Sequence, residues 1–222
     1  MGIPEREIAL REAKARQSRA IAALAPKHCG GETEEFMAAR AAVLQAERDL
    51  AAAKGEQYAV PMEFPVSWDH GAPLPHLLKN DYRTFLVFFL QDVDPNWDGT
   101  YVSVREPNSN VSEKLALVAF ERCICAKMGT PNDEVLHGHP LYGKGLAAYE
   151  AMSVENSTWL NDLEKINAVH SCYKAEFWRS LKHYILPFHD STFECVARGF
   201  TVETYQMPLP SLLSEVCTRL LA

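Results

Sequence analysis

Phe85-Leu86-Val87-Phe88-Phe89-Leu90 is six residues of aromatic, β-branched and leucine side chains with no polar interruption. That is a strand's length, and this residue mixture favours a strand over a helix. Downstream, Thr100 to Arg105 sets Tyr101 and Ser103 against Val102 and Val104 in alternation, and Leu115 to Lys127 is long enough for a full central strand. Asp92 to Gly99 supplies the hairpin loop between the first two.

The pattern continues toward the C-terminus. A loop at Gly129 to Asp133 and a glycine-rich stretch, His137 to Gly145, lead to a short strand at Tyr149 to Val154. Asn156 or Ser157 caps a helix from Thr158 to Val169, with Trp159, Leu163 and Ile166 on one face. A short helix, Lys174 to Ser180, precedes a strand at His183 to Phe188. His189-Asp190-Ser191 then makes a tight turn, and Phe193 to Val202 returns as the partner strand. After Pro208 and Pro210, Leu212, Leu213, Val216, Cys217, Leu220 and Leu221 form the apolar stripe of a closing helix.

Strands joined largely by hairpins, with helices late and at the ends, predict an α+β fold. We expect a curved antiparallel sheet, able to form a partial barrel, with helices on one face. Regular βαβ alternation and a G-x-G-x-x-G after a strand are both missing from the sequence, which sets a dinucleotide-binding fold aside.

Working back from the sheet, residues 58–80 carry Pro61, Pro65, Pro73 and Pro75 and read as a linker strap without regular structure, held by Phe64 and Trp68. Residues 1–57 read as a helical hairpin. Its first helix runs from Pro4 to Leu24 and ends before Pro26 and Gly30-Gly31. Thr33 caps the second, which stops before Gly55. Phe36, Val43 and Leu50 recur every seven residues beside Met37 and Leu44, a narrow seam that covers the domain or pairs with a second subunit or a protein partner. The predicted organisation is therefore hairpin 1–57, strap 58–80 and sheet domain 81–222.

The 222 residues are 47% hydrophobic and 23% charged with a net charge of −7, ordinary for a globular chain. Residues 1–57 hold nine basic and nine acidic residues, so the whole negative charge belongs to residues 58–222. With no basic stripe in either part, nucleic acid is disfavoured as a partner. The longest apolar runs fall far short of the roughly 20 residues of a membrane helix, so no membrane span is expected. Met1 to Arg19 has no apolar core of a secretory signal, and its acidic residues argue against a transit peptide. The six cysteines are scattered without a C-x-x-C, the usage of a reducing compartment; the cytoplasm is the expected location.

Several clusters carry chemistry. Asp94-x-Asn96-x-Asp98-Gly99 opens like a calcium loop, but Arg105 stands where the closing glutamate belongs, and a hairpin turn explains the same residues. His137-Gly138-His139 on an extended segment would aim two imidazoles the same way. A divalent metal there needs a third ligand such as His183, His189 or Asp190. The loop continues through Tyr142, Gly143, Lys144 and Gly145, but Gly145 after the lysine rules out a P-loop. In Phe188 to Cys195, alternation puts Phe193 and Cys195 on one face and Glu194 on the other. Cys195 is then a buried small hydrophobe or a thiol paired with His183, while Cys123 and Cys125 read as core residues of one strand.

These residues lead to an expected ligand-binding protein, with a pocket formed by the sheet and the 137–145 loop and a small polar ligand. His137, Tyr142, Lys144 and His183 are the candidate binding residues. His139, His189, Asp190 and Glu194 are the candidates for acid–base catalysis should the protein be an enzyme. No cofactor is expected beyond a histidine-bound metal. One alternative is a scaffold acting through its helical hairpin; another is a metal-dependent hydrolase using His137 and His139.

Overall fold

A computed structural model of the chain describes residues 1–24, 33–92 and 105–222. Two helices come first, α1 (Ile3–Leu24) and α2 (Glu34–Ala53). Strands β1 (Tyr58–Pro61), β2 (His76–Lys79), β3 (Thr84–Phe89), β4 (Glu113–Glu121), β5 (Cys125–Gly129) and β6 (Met152–Glu155) follow. Next are α3 (Thr158–Asn167), α4 (Ala175–Arg179), β7 (Lys182–Pro187), β8 (Thr192–Ala197), β9 (Gly199–Met207) and α5 (Leu209–Leu221). The calcium-like loop at Asp94 to Gly99, all but the last residue of the expected strand at Thr100 to Arg105, and Pro26, Cys29 and Gly30-Gly31 lie outside the described residues.

The fold is α+β, as expected, with antiparallel strands throughout the described residues and the helical hairpin in place. The single curved sheet becomes two, ordered β1-β6-β7-β8-β5 and β2-β3-β4-β9, and among the described residues neither closes into a barrel. Their inner faces share one core: Leu86, Phe88, Val118 and Phe120 from the second sheet meet Tyr184, Leu186, Phe193 and Cys195 from the first. Strands β3 and β8 are buried at all six positions and β7 at five of six, so both faces need cover. Helices accordingly lie on two outer faces rather than one. Leu209, Leu212 and Val216 of α5 cover the second sheet, while α3 and α4 close over Val196 and Leu181 on the first. On α3, Trp159 and Leu163 face inward, but Ile166 is exposed, because a ten-residue helix offers only a short stripe to its sheet.

Two expected strands each prove to be two. Leu115 to Lys127 breaks at Arg122, whose φ of +49° turns the chain out of β4 and into β5 in the other sheet. Phe193 to Val202 breaks at Arg198, between β8 and β9. The two breaks stand side by side, with the Arg198 N–H donating to the Glu121 carbonyl at 2.8 Å. Charged residues interrupt both apolar runs at the level where the chain exchanges sheets. Cys123 and Cys125 consequently do not share one core strand: Cys123 precedes β5 and both are only partly buried.

The proline-rich segment is irregular between its ends, but Tyr58–Pro61 pairs with β6 and His76–Lys79 pairs with β3. Proline is tolerated there because both strands are sheet edges and Pro61 is the last residue of β1. Between them Phe64 and Trp68 hold the strap to the inter-sheet core; the Trp68 ring lies 4.9 Å from that of Phe188.

Helix α2 begins at Thr33, whose side chain accepts from the Phe36 N–H, and buries Ala39, Val43 and Ala51. The expected seam shifts toward these alanines, leaving Met37 exposed, because small residues let α1 approach closely. Arg48 ties α2 to the sheet, donating to the carbonyls of Ala59 (2.9 Å) and Gly145 (3.0 Å). Glu47, buried on the same helix, accepts from the Gly145 N–H at 3.3 Å. Gly145 itself has a φ of +84°, and a Cβ there would meet the Ala59 carbonyl oxygen at 2.7 Å. Gly145→Ala should therefore lower stability by more than about 1–2 kcal/mol, the cost of left-handed backbone alone; urea unfolding of the two proteins would show it as a lower midpoint.

Candidate functional site

The outward face of the first sheet carries an ionic cluster. Antiparallel register sets Lys127 of β5 opposite Glu194 of β8, and period-2 alternation puts His183 of β7 on the same face. The Glu194 side chain is only 8% exposed, yet it takes three partners. Lys127 Nζ is 2.7 Å from Oε1, His183 Nε2 is 2.9 Å from Oε2, and His139 Nε2 makes a long 3.5 Å contact with Oε1. Burial alone would push the Glu194 carboxyl up; hydrogen bonds from His139, His183 and Lys127 outweigh it and hold the group far below the usual carboxylate range.

Surrounding groups fix both imidazoles. The Leu160 N–H donates to Ser157 Oγ (3.1 Å), and that hydroxyl lies 2.8 Å from His183 Nδ1, holding the ring with its Nε2 toward Glu194. The Leu141 N–H donates to His139 Nδ1 at 3.2 Å, which turns the Nε2 of that ring toward Glu194. Trp159 closes one side. Its ring stands edge-on to His183, with centroids 5.0 Å apart, and the Lys127 ammonium lies 4.7 Å from its centroid.

Above the cluster opens a cleft of about 920 Å³, with Lys127, Trp159, His139 and Thr192 around the ionic floor and Gly138 to Leu141 as one wall. The cluster is thus at once a sealed charge network and the floor of an open cavity. Lys127 is the exposed member: its side chain is 57% exposed, against 3% for His183 and 8% for His139.

Of the residues expected from sequence, the structure brings together His139, His183 and Glu194. It separates the rest. His137 and His139 do not point together, because residues 136–138 form a turn of 3₁₀-helix instead of an extended segment. His137 lies beside Tyr142 in a hollow under the helical hairpin, and Lys144 pairs with Glu56 at 2.8 Å. Cys195 and His183 are on opposite faces, since His183 registers with Val196, so that thiol–imidazole pair does not form. Among the described residues, no group of three or more His, Cys, Asp or Glu side chains could hold a metal ion.

His189 belongs to a second cluster outside the cleft lining. Its Nδ1 is 3.0 Å from both the Tyr149 hydroxyl and Asp133 Oδ2, and Tyr149 also bonds Asp133. The Tyr149 bond, with His189 adding to it against a smaller burial effect, lowers the Asp133 carboxyl below its ordinary value. Burial, followed by the hydrogen bond to Asp133, raises the Tyr149 hydroxyl. Asp190 is exposed, 4.0 Å from His189 Nε2. Sequence reasoning missed Lys127, Ser157, Trp159, Asp133 and Tyr149 as site residues. Alternation alone could have put Lys127 on a strand face, but its register against Glu194 is a tertiary fact.

No protein-family model, curated protein or solved structure matches this chain. No helix among the described residues is long and apolar enough to cross a membrane. The fold and the site together define an α+β protein with a cleft over a buried carboxylate, and function has to be argued from that site.

Proposed function

We infer that the chain is a small-ligand-binding protein of the cytoplasm, whose ligand is a small polar molecule seated in the cleft above Glu194. One observation carries this reading: a buried carboxylate and two orientation-locked imidazoles form the floor of the cleft, while the lysine at its mouth is more than half exposed. Ligand sites combine a concave, largely apolar wall with a few convergent polar groups. Here Trp159, Pro131, Leu141 and Val135 supply the wall, and Lys127 can offer its unengaged N–H groups. Five free cysteines among the described residues suit a reducing compartment.

Acid–base catalysis by His139 is less favoured, because both of its ring nitrogens are already engaged. A second reading keeps an enzyme in view through one observation: His189 is oriented by Asp133 at Nδ1 while, among the described residues, Nε2 lacks a close partner. The scaffold reading is weakened by the way Arg48 and Glu47 commit α2 to its own sheet.

The test is a thermal-shift and calorimetric screen of the full chain with a library of small polar metabolites. Ligands that raise the melting temperature should bind Lys127→Met about tenfold more weakly or worse, since a hydrogen bond to a charged group contributes roughly 1.5–3 kcal/mol. Ligands indifferent to both Lys127→Met and Trp159→Ala would refute the placement.

A further inference from the structure

Three arginines crown one end of the second sheet. Antiparallel register sets Thr84 opposite Phe120 and Glu121 opposite Gly199. Arg83, just before β3, Arg122, just after β4, and Arg198, just before β9, therefore stand at the same end of three neighbouring strands. Adjacent strands lie about 4.8 Å apart, which keeps the three side chains within reach of one small ligand. They come together around a hollow of about 570 Å³, with Phe85 and Ala119 in its wall. No residue of that lining belongs to the cleft above Glu194.

The backbone holds all three in place. The Tyr82 and Arg83 N–H groups both donate to Asn80 Oδ1, at 2.9 and 2.8 Å, and Asn80 Nδ2 donates to the Leu220 carbonyl of α5 at 2.7 Å. The Arg198 N–H donates to the Glu121 carbonyl beside Arg122. Arg122 keeps its left-handed φ of +49°, a conformation that is uncommon for a bulky residue and that accumulates at functional sites.

Their charge is not matched locally. Among the described residues, none of the three guanidinium groups makes a hydrogen bond or an ion pair. Glu121 is the one acid of the lining, and it pairs with none of them; Asp81, in the turn before Arg83, is exposed and outside the lining. Like charges side by side on neighbouring strands repel. Three cations less one carboxylate leave a surplus of two positive charges, in a chain whose net charge is −7.

We propose that this sheet end binds the phosphate monoester group of a small soluble molecule. Such a group carries about −1.5 to −2 charges at neutral pH and three acceptor oxygens, so it offsets the surplus in full, where a single carboxylate would offset half of it. Planar guanidinium forks bind phosphate oxygens two at a time, which is why arginine rather than lysine suits the site.

Calorimetric titration of the full chain with glycerol phosphate, at constant ionic strength, tests this. Acetate serves as the monoanion, and vesicles containing phosphatidic acid present the same group on a membrane. The expected result is saturable binding of glycerol phosphate, tighter than that of acetate and weakened about tenfold or more in each of Arg83→Gln and Arg198→Gln, the loss that follows from removing a charged hydrogen-bond donor. Both residues are exposed and keep their backbone hydrogen bonds on substitution, so both variants should fold. Arg179→Gln, which removes the same charge from the exposed side of α4, and Lys127→Met, in the cleft, should bind as the wild-type chain does. No saturable binding by the wild-type chain, an equal loss in Arg179→Gln, a loss confined to Lys127→Met, or binding to the vesicles alone would overturn the proposal.

Discussion

In Glu194→Ala the folded state is expected to lose about 2–5 kcal/mol, because the His183 and His139 ring N–H groups keep their place but lose their acceptor, and an orphaned buried donor costs about 1–3 kcal/mol. Lys127 adds little to this figure, since its half-exposed ammonium can turn to water. Glu194→Gln should cost less, as the amide retains one acceptor oxygen but sets an NH₂ against the other donors. Urea unfolding at neutral pH measures both. The same substitution should flatten the acid limb. The Glu194 carboxyl is lowered in the folded chain, so its contribution is complete above the unfolded glutamate value near about 4.3 and is lost as pH falls below it. Wild-type stability should fall more steeply than that of Glu194→Ala between about pH 5 and pH 2; parallel curves would show that the carboxylate gains nothing from its partners.

Phe188→Ala should cost about 3–5 kcal/mol, the range for emptying a fully enclosed aromatic site. Phe188 has no exposed surface, and its ring sits between Trp68 of the strap at 4.9 Å and Phe88 of the second sheet at 5.4 Å. It therefore joins three parts of the chain that are remote in sequence, and those neighbours are too constrained to collapse into the space. For a chain of this size the melting temperature should drop by roughly 6–20 °C, at about 2–4 °C per kcal/mol. Tyr82→Ala, at a residue 90% exposed, is the control and should change stability by no more than about 0.5 kcal/mol.

Local periodicity carried the elements well. The apolar run at Phe85 to Leu90 marks β3, the Thr33 and Ser157 caps start their helices, and the Asp190 turn joins β7 to β8. What it could not supply was the exchange between sheets. Leu115 to Lys127 and Phe193 to Val202 each read as one strand, although Glu121-Arg122 and Arg198-Gly199 mark their breaks in plain letters. A charged pair in a strand equally suits an exposed edge; the left-handed Arg122, the strand order and the Arg198 to Glu121 hydrogen bond distinguish a crossover. The site divides in the same way. Alternation separated Glu194 from Cys195 correctly, since one side chain faces the cleft and the other the inter-sheet core. The partners of Glu194 come from β5, β7 and the turn after residue 138, and nothing local encodes that meeting. His137 and His139 show the opposite error. Their spacing suggested a shared direction, which holds for a strand but not for the helical turn that Leu136–Gly138 adopts.

Side-chain NMR of the full chain, with histidine and tryptophan labelled and titrated with a ligand from the metabolite screen, tests the cleft most directly. The account predicts saturable shifts of the Trp159 indole and of the His139 and His183 rings, with His189 and Trp178 unmoved. Shifts centred on His189 or His137, with Trp159 unchanged, would contradict it.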